Sequence, residues 1–483
     1  SRRKALSISM AQQITAKKLA KNMIVSVAAQ AVSLLVSFVM TLIVPRYVSE
    51  YTYSYWQMYM LYIAYVGVLH FGLLDGLVLR YGAYDYNELD RSRIRSQFMM
   101  LLFMLSCFAV LLGVTSIFVF EGERRFVFLL VAVGIVTKNL ATYNSYIFQI
   151  TNRIERYAAV TIVQRGFFGL ISVALLLGKV DYFVWYCVAD IAGDLLGFAL
   201  GVLFNRAQVY FGRGIPRREF MEETKANLSA GILLMLANWS SVLLIGSARM
   251  ITEWQWGELV FGKVSFAFSL TNVFLTFVTA VSVVLFPSLK RLDREKLPEM
   301  YGNIRKAISL FMCFALVMFF PGSYIVEKWI PAYAVSLQYL AILVPIVVFS
   351  SKVNLLTNNY LKVYRKEKSM LLVNLVSVAL GAGLFFASAY LFDDLNVLLY
   401  SVVVAIVFNS VLSEIVVMKL IGKRFYFSIF LEVAMAAGFI AIAVLLPLWW
   451  GMLAYFLLFL VYCALHYKTI AALFRKFRAR RAA

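Results

Sequence analysis

Asp190 and Asp194 stand four residues apart inside one apolar run. Four residues is one helical turn, so on a helix the two carboxylates share a face and repel unless a cation, a proton or a basic neighbour neutralises them. Lys138, Arg165, Arg249, Lys263 and Lys352 likewise interrupt apolar runs. Bases so placed hold anionic groups, phosphate above all, through charge-assisted hydrogen bonds; acids so placed hold cations or protons. Other chemistry finds little material. The two histidines are His70 and His466, and the four cysteines, Cys107, Cys187, Cys313 and Cys463, lie far apart with no paired spacing. A catalytic triad, a zinc site and a disulfide framework are all unreadable in such a set. Gly257–Lys263 has the GxxxxGK spacing of a nucleotide loop, but Val264 stands where a magnesium-binding hydroxyl is required, and no strand precedes it. Work must therefore come from an ion or voltage gradient, or from downhill substrate flow, and no cofactor is expected beyond a coupling proton or sodium ion.

The elements that position these residues follow from composition. Of 483 residues, 62% are hydrophobic and 15% charged, and the mean hydropathy is +0.81. That excludes water-soluble domains and leaves room for roughly 12 to 15 membrane-spanning helices. The expected fold is all-α and polytopic. Apolar runs predict helices over 22–44, 54–79, 96–120, 126–150, 158–178 and 182–204. After a polar connection at 205–224 they continue over 225–249, 258–287, 306–326, 336–360, 370–391, 395–418, 428–447 and 448–466. Fourteen crossings result.

Loop charge tests this map. The net charge of +21 comes from 46 Lys+Arg against 25 Asp+Glu, and in a polytopic chain it reports topology before any partner such as nucleic acid. Assigned to alternate sides, the loop bases divide about 35 to 5. The minority side holds Arg46, Arg124, Arg125, Lys179 and Lys328. Both termini are therefore expected in the cytoplasm: a basic segment at 1–21, read as no removable signal peptide, and a basic amphipathic tail at 467–483 suited to anionic phospholipid. An internal echo sets Asn22, Arg46, Glu50 and Trp56 against Asn227, Arg249, Glu253 and Trp254. It predicts two six-helix lobes of like orientation, 22–204 and 225–418, with two helices appended at 428–466.

Depth separates the charges. Lys138 is about 12 residues from either end of its helix, roughly 18 Å from each surface and beyond easy snorkelling. Arg165 and Lys352 lie nearer the cytoplasmic ends, where snorkelling competes with a binding role. Arg249 and Lys263 flank an outer connection. Asp75, Arg80, Glu414 and Glu432 read as interfacial, and His70 as a hydrogen-bonded packing residue. For Asp190 and Asp194, with Lys138 and Arg165 as the expected basic neighbours, two readings stand side by side: a buried ion-pair lock, or a proton or sodium coupling site.

The stretch NMIVSVAAQAVSLLVSFVMTLIVPRYVSE, the following YWQMYMLYIAYVGVLHFGLLDGLVLRYG, and the later YIVEKWIPAYAVSLQYLAILVPIVVFSSKVNLLTNNYLKVYRKEKS, with Trp329, Pro331 and Tyr333, resemble the polysaccharide flippases (Wzx-like) of the multidrug/oligosaccharidyl-lipid/polysaccharide exporter superfamily. The likeness runs over nearly the whole chain. It departs where many relatives carry an acid before a base: here Ala248 precedes Arg249. The resemblance implies two lobes opening alternately to either side of the bacterial cytoplasmic membrane, and a polyprenyl-pyrophosphate-linked oligosaccharide as cargo. It also implies a cationic cavity, here Lys138, Arg165, Arg249, Lys263, Lys352 and Arg46, and glycosyltransferases and a polymerase as pathway partners. A multidrug exporter of the same fold is the nearest alternative, but it needs unpaired acids rather than a surplus of deep bases. A membrane polymerase or glycosyltransferase needs an outer catalytic site. The outer loops are short, with only Glu121, Glu123, Glu253, Glu258, Glu327, Asp393 and Asp394 to offer, so the chain is not expected to be an enzyme.

Overall fold

The computed structural model describes residues 24–82, 84–290 and 294–467. The basic segment 1–21, Asn22 of the internal echo and all of the tail beyond Tyr467 lie outside the described residues.

Helix α1, Ile24–Tyr47, loosens into a π-turn over Val39–Ile43, where Pro45 just beyond has no N–H to donate. Ser49 then caps α2, Glu50–Ile63, its hydroxyl accepting the Thr52 N–H at 3.2 Å. A 3₁₀ turn over Val66–His70 ends at Phe71 and Gly72, both left-handed (φ 46° and 82°), and the span resumes as α3, Leu73–Tyr81, bent by 56°. Next come α4, Arg91–Val119, capped by Asp90, then α5, Gly122–Ile150, α6, Ile154–Leu177, and α7, Phe183–Tyr210. The long α8, Arg217–Lys290, is followed by α9, Leu297–Trp329, and by the bent pair α10, Pro331–Leu343, and α11, Ile346–Val363. The last four are α12, Glu367–Tyr390, α13, Leu395–Ile421, α14, Tyr426–Leu445, and α15, Leu448–Leu465.

Among the described residues, 10 helices are long and apolar enough to cross a membrane, or 13 if each bent pair is one span. One crossing more is hidden in α8. Arg249 Nη2 donates to Ser265 Oγ at 3.0 Å. On an unbroken helix residues sixteen apart are about 24 Å distant, so the chain must reverse between them. Gly257, at φ 80° and ψ 177°, is the place, a conformation open to glycine and costly for any other residue. The protein is thus a multi-pass, all-helical membrane protein whose spans, among the described residues, agree roughly with the fourteen expected.

The chain parts into two compact units between Leu236 and Ala237. The first turns of α8, beyond the polar connection at 205–224, pack back on the first unit. Arg80 Nη1 lies 2.7 Å from Glu223 Oε1, and Tyr81 donates to the same carboxylate at 2.6 Å. Backbones touch one turn further in: a Cβ at Gly76 would stand 2.0 Å from the Asn227 carbonyl oxygen, and one at Gly231 only 1.9 Å from that of Gly72. Small residues are what allow such approach between helices in lipid. Gly76→Val should cost about 3 kcal/mol, read as a lower melting temperature of the detergent-purified protein; an unchanged melt would mean α3 and α8 part without loss.

Loop bases of the first unit gather at one end, as the alternating charges require. Arg95 reaches the Gly212 carbonyl at 2.8 Å, Arg153 those of Asn205 (side chain) and Phe204 at 2.8 Å each, Arg156 that of Phe204 at 3.0 Å, and Arg93 the Glu219 carboxylate at 2.9 Å. The other end is tied by Ser49, whose N–H meets Asp181 at 2.9 Å, and by Tyr182, which donates to Glu123 at 3.1 Å. In the second unit α14 and α15 dock on α9 through aromatic contacts. Phe439 meets Tyr455 edge-on at 5.0 Å, and the Tyr455 hydroxyl donates to the Cys313 carbonyl at 3.0 Å.

Candidate functional site

In the first unit four helices converge on the two aspartates. Successive turns of α7 carry Asp190 and Asp194 inward, both buried. Lys138 of α5 sets its Nζ 3.4 Å from Asp190 Oδ2 and 3.2 Å from Asp194 Oδ2. Tyr59 of α2 donates to Asp190 Oδ2 at 3.2 Å, and the Gln164 amide of α6 donates to Asp194. One ammonium thus faces two carboxylates, so the cluster carries one negative charge unless it takes up a proton or cation. Its geometry serves the ion-pair lock directly, and the uncompensated charge leaves the coupling reading open. Lys138 is engaged on two sides, which makes it a poor ligand for a substrate anion.

Arg165, the other base expected beside the aspartates, is not there. Its neighbour Gln164 takes that place, while the Arg165 side chain, half-buried, makes no hydrogen bond or ion pair with any described residue. His70, in the break of α2, accepts the Gly72 N–H at Nδ1 (3.1 Å) and lies 4.0 Å from Asp75 through Nε2. Both residues are buried, and the His70 ring holds the bend through its bond from Gly72.

The second unit contains a cluster that sequence reasoning dispersed. Lys352 of α11 approaches Glu414 of α13 at 2.7 Å and Glu432 of α14 at 2.5 Å. Arg305 of α9 bonds Glu414 and lies 3.0 Å from Glu432, and Ser309 donates to Glu432 at 2.6 Å. Each of the four charged residues is at most 1% exposed. Lys352, expected as a cavity cation or a snorkelling base, is here enclosed and paired with Glu414 and Glu432, which are themselves buried within the protein. Two bases and two acids form a neutral, fully enclosed quartet. The signal was present as Lys352, Glu414 and Glu432 in three apolar runs, with Arg305 at the edge of a fourth, and the four charges sum to zero.

Arg249, half-buried, spans the α8 hairpin, with its guanidinium 5.5 Å from the Phe261 ring centroid besides the bond to Ser265. Lys263 is half-buried on the second limb, and Arg46 is exposed with its guanidinium 5.9 Å from the Tyr47 ring centroid. Tyr333, from the stretch that carries the family resemblance, is buried against Phe266 at 4.6 Å between ring centroids. Among the described residues no three His, Cys, Asp or Glu side chains gather as metal ligands. The outer acids are dispersed too: Asp393 accepts from Gln255 at 3.0 Å and Asp394 caps α13.

Solved structures share this architecture. A multidrug resistance MATE family transporter of the MOP superfamily, in an inward-facing conformation, matches at TM-score 0.63 and 13% identity, over 83% of this chain and 98% of that one. The lipid II flippase MurJ, in an inward closed conformation, matches at TM-score 0.64 and 11% identity, over 93% of this chain and 99% of that one. An outward-facing MATE transporter follows at 0.56 and 13%, covering 83% and 94%. At such identities the likeness is one of fold. No protein-family model and no curated protein matches the chain.

Proposed function

We propose that this protein is a flippase carrying a polyprenyl-pyrophosphate-linked oligosaccharide across the bacterial cytoplasmic membrane, for assembly of a surface polysaccharide such as O-antigen, capsule or exopolysaccharide, by alternating access. The carrying observation is the shared fold. Every neighbour named above is a transporter, and the likeness to a lipid-linked substrate's flippase takes in 93% of the chain against 83% for the MATE transporters. The charges agree in sign. With Lys138 and the quartet engaged internally, Arg165 remains in the first unit as a deep base suited to a pyrophosphate. Glycosyltransferases and a polymerase are the expected partners, and the excess of basic residues on alternate loops supports both termini in the cytoplasm.

One observation favours the multidrug exporter instead: Asp190 and Asp194 exceed Lys138 by one charge. Both acids are buried, however, and held by Tyr59 and Gln164, so they are poorly presented to an organic cation. Deleting the gene separates the readings. The flippase reading expects surface polysaccharide to disappear while its lipid-linked repeat accumulates. Unchanged polysaccharide with heightened sensitivity to cationic drugs would overturn it in favour of the exporter.

A further inference from the structure

Helix α1 carries a polar stripe in an otherwise apolar span. Ser26, Gln30, Ser33 and Ser37 are spaced by four, three and four residues and fall within about 60° of arc at 100° per residue. Ile24, Val27, Leu35 and Phe38, all exposed, occupy the opposing face that meets lipid. The stripe is half-buried throughout. Ser33 returns its hydroxyl proton to the Ala29 carbonyl at 3.1 Å, keeping its lone pairs. Ser26, Gln30 and Ser37 make no hydrogen bond with any described residue. An amide left unpaired against hydrocarbon is costly, so the stripe needs water or a ligand in front of it.

Arg165 lies beside the same helix. On α6 the exposed residues Val163, Leu170, Val173 and Leu177 mark the lipid face, and Arg165 projects roughly 120° away from its centre. Its bearing lies between two contacts that fix its surroundings. Gly169, one turn on, abuts α1, where an added Cβ would stand 2.7 Å from Val36 Cγ2; Phe168 stacks on Trp56 of α2 with ring centroids 5.6 Å apart. Helices α1 and α6 run the same way, since Ser49 beyond the end of one bonds Asp181 beyond the end of the other at 2.9 Å. One turn back from the Val36–Gly169 contact, Arg165 is therefore level with Val32 and Ser33. Gln30 lies under a turn further in.

We infer that Arg165 and the Ser26, Gln30, Ser33 and Ser37 face of α1 form one recognition track inside the first unit, in which the guanidinium takes the phosphate end of the carrier and the amide and hydroxyls read the sugar. This deepens the flippase reading and rests on it. A guanidinium pairs two phosphate oxygens at once, while Gln and Ser offer both donors and acceptors, as a ring of sugar hydroxyls demands. Gln30 and Ser33 thereby discriminate glycosylated from bare carrier.

The test uses the full chain in lipid nanodiscs, with two probes: a polyprenyl pyrophosphate, and the same lipid bearing an oligosaccharide. The double variant Gln30→Leu with Ser33→Ala places apolar groups that a membrane helix tolerates. It should weaken binding of the glycosylated probe about tenfold or more, the scale of one or two hydrogen bonds, and leave the bare probe unchanged. Arg165→Gln should weaken both probes, and Arg165→Lys, which keeps the charge but not the paired donors, should recover part of the loss. Wild-type affinity of the double variant for both probes would overturn the track while leaving the flippase reading intact. Failure of the unaltered protein to bind either probe would instead remove the flippase reading, and the track with it.

Discussion

Lys352→Met is expected to destabilise the second unit by about 3–5 kcal/mol, the cost of leaving a buried charge without its partner. The reason is the arithmetic of the quartet. Arg305 would face Glu414 and Glu432 alone, one negative charge in excess, at a site where each member is at most 1% exposed. The double variant Lys352→Met with Glu414→Gln restores neutrality as an Arg305–Glu432 pair, and it should recover most of the loss, since replacing ion pairs by neutral groups is often close to neutral overall. Denaturant unfolding of the purified protein, followed by tryptophan fluorescence, measures both. Equal loss in the single and double variants would show that shape rather than charge balance holds these four helices together.

The aspartate cluster calls for the opposite pattern, because it is not neutral. Lys138→Met leaves Asp190 and Asp194 facing one another one turn apart, and a loss of about 3–5 kcal/mol follows by the same reasoning. Asp190→Asn leaves Lys138 and Asp194 as a balanced pair, with the Tyr59 hydroxyl still able to donate to the amide oxygen at that position. Its cost should be about 1 kcal/mol or less, a single hydrogen bond's worth. Removing the acid is thus expected to be much milder than removing the base. If the two variants melt together, the cluster holds no net charge in the folded protein, and a bound proton or cation already completes it.

How far these sites were legible in the sequence follows from what one dimension can carry. Spans and sidedness depend on the length of apolar runs and on loop charge, both linear properties. The helix expected over 126–150 therefore appears as Gly122–Ile150, and that expected over 395–418 as Leu395–Ile421. Asp190 and Asp194 were recognisable as a pair because a helical turn is local. Lys138 and Arg165 were both named as their basic neighbours; Lys138 joins the pair, whereas Arg165, nearer the cytoplasmic end, points elsewhere. Depth does not give azimuth across helices. For the same reason Lys352 read as a snorkelling or binding base and Glu414 and Glu432 as interfacial acids, on separate helices, until packing brought them together with the loop base Arg305 within 3.0 Å. A polar connection marks where the chain leaves the membrane, not which neighbours the next helix packs against; Gly76 and Gly231 let the first turns of α8 lie against the first unit.

The central claim is that this chain moves the sugar end of a lipid-linked oligosaccharide from one leaflet to the other. It is tested most directly with the purified protein in liposomes carrying a fluorescent polyprenyl-pyrophosphate oligosaccharide, by following how much of the glycan an externally added, membrane-impermeant glycosidase can reach. The account predicts that the accessible fraction, fixed near the outer-leaflet share in protein-free vesicles, rises towards completeness with the unaltered chain and much more slowly with Arg165→Gln. An accessible fraction identical to that of empty vesicles, under an imposed proton or sodium gradient and without one, would contradict it.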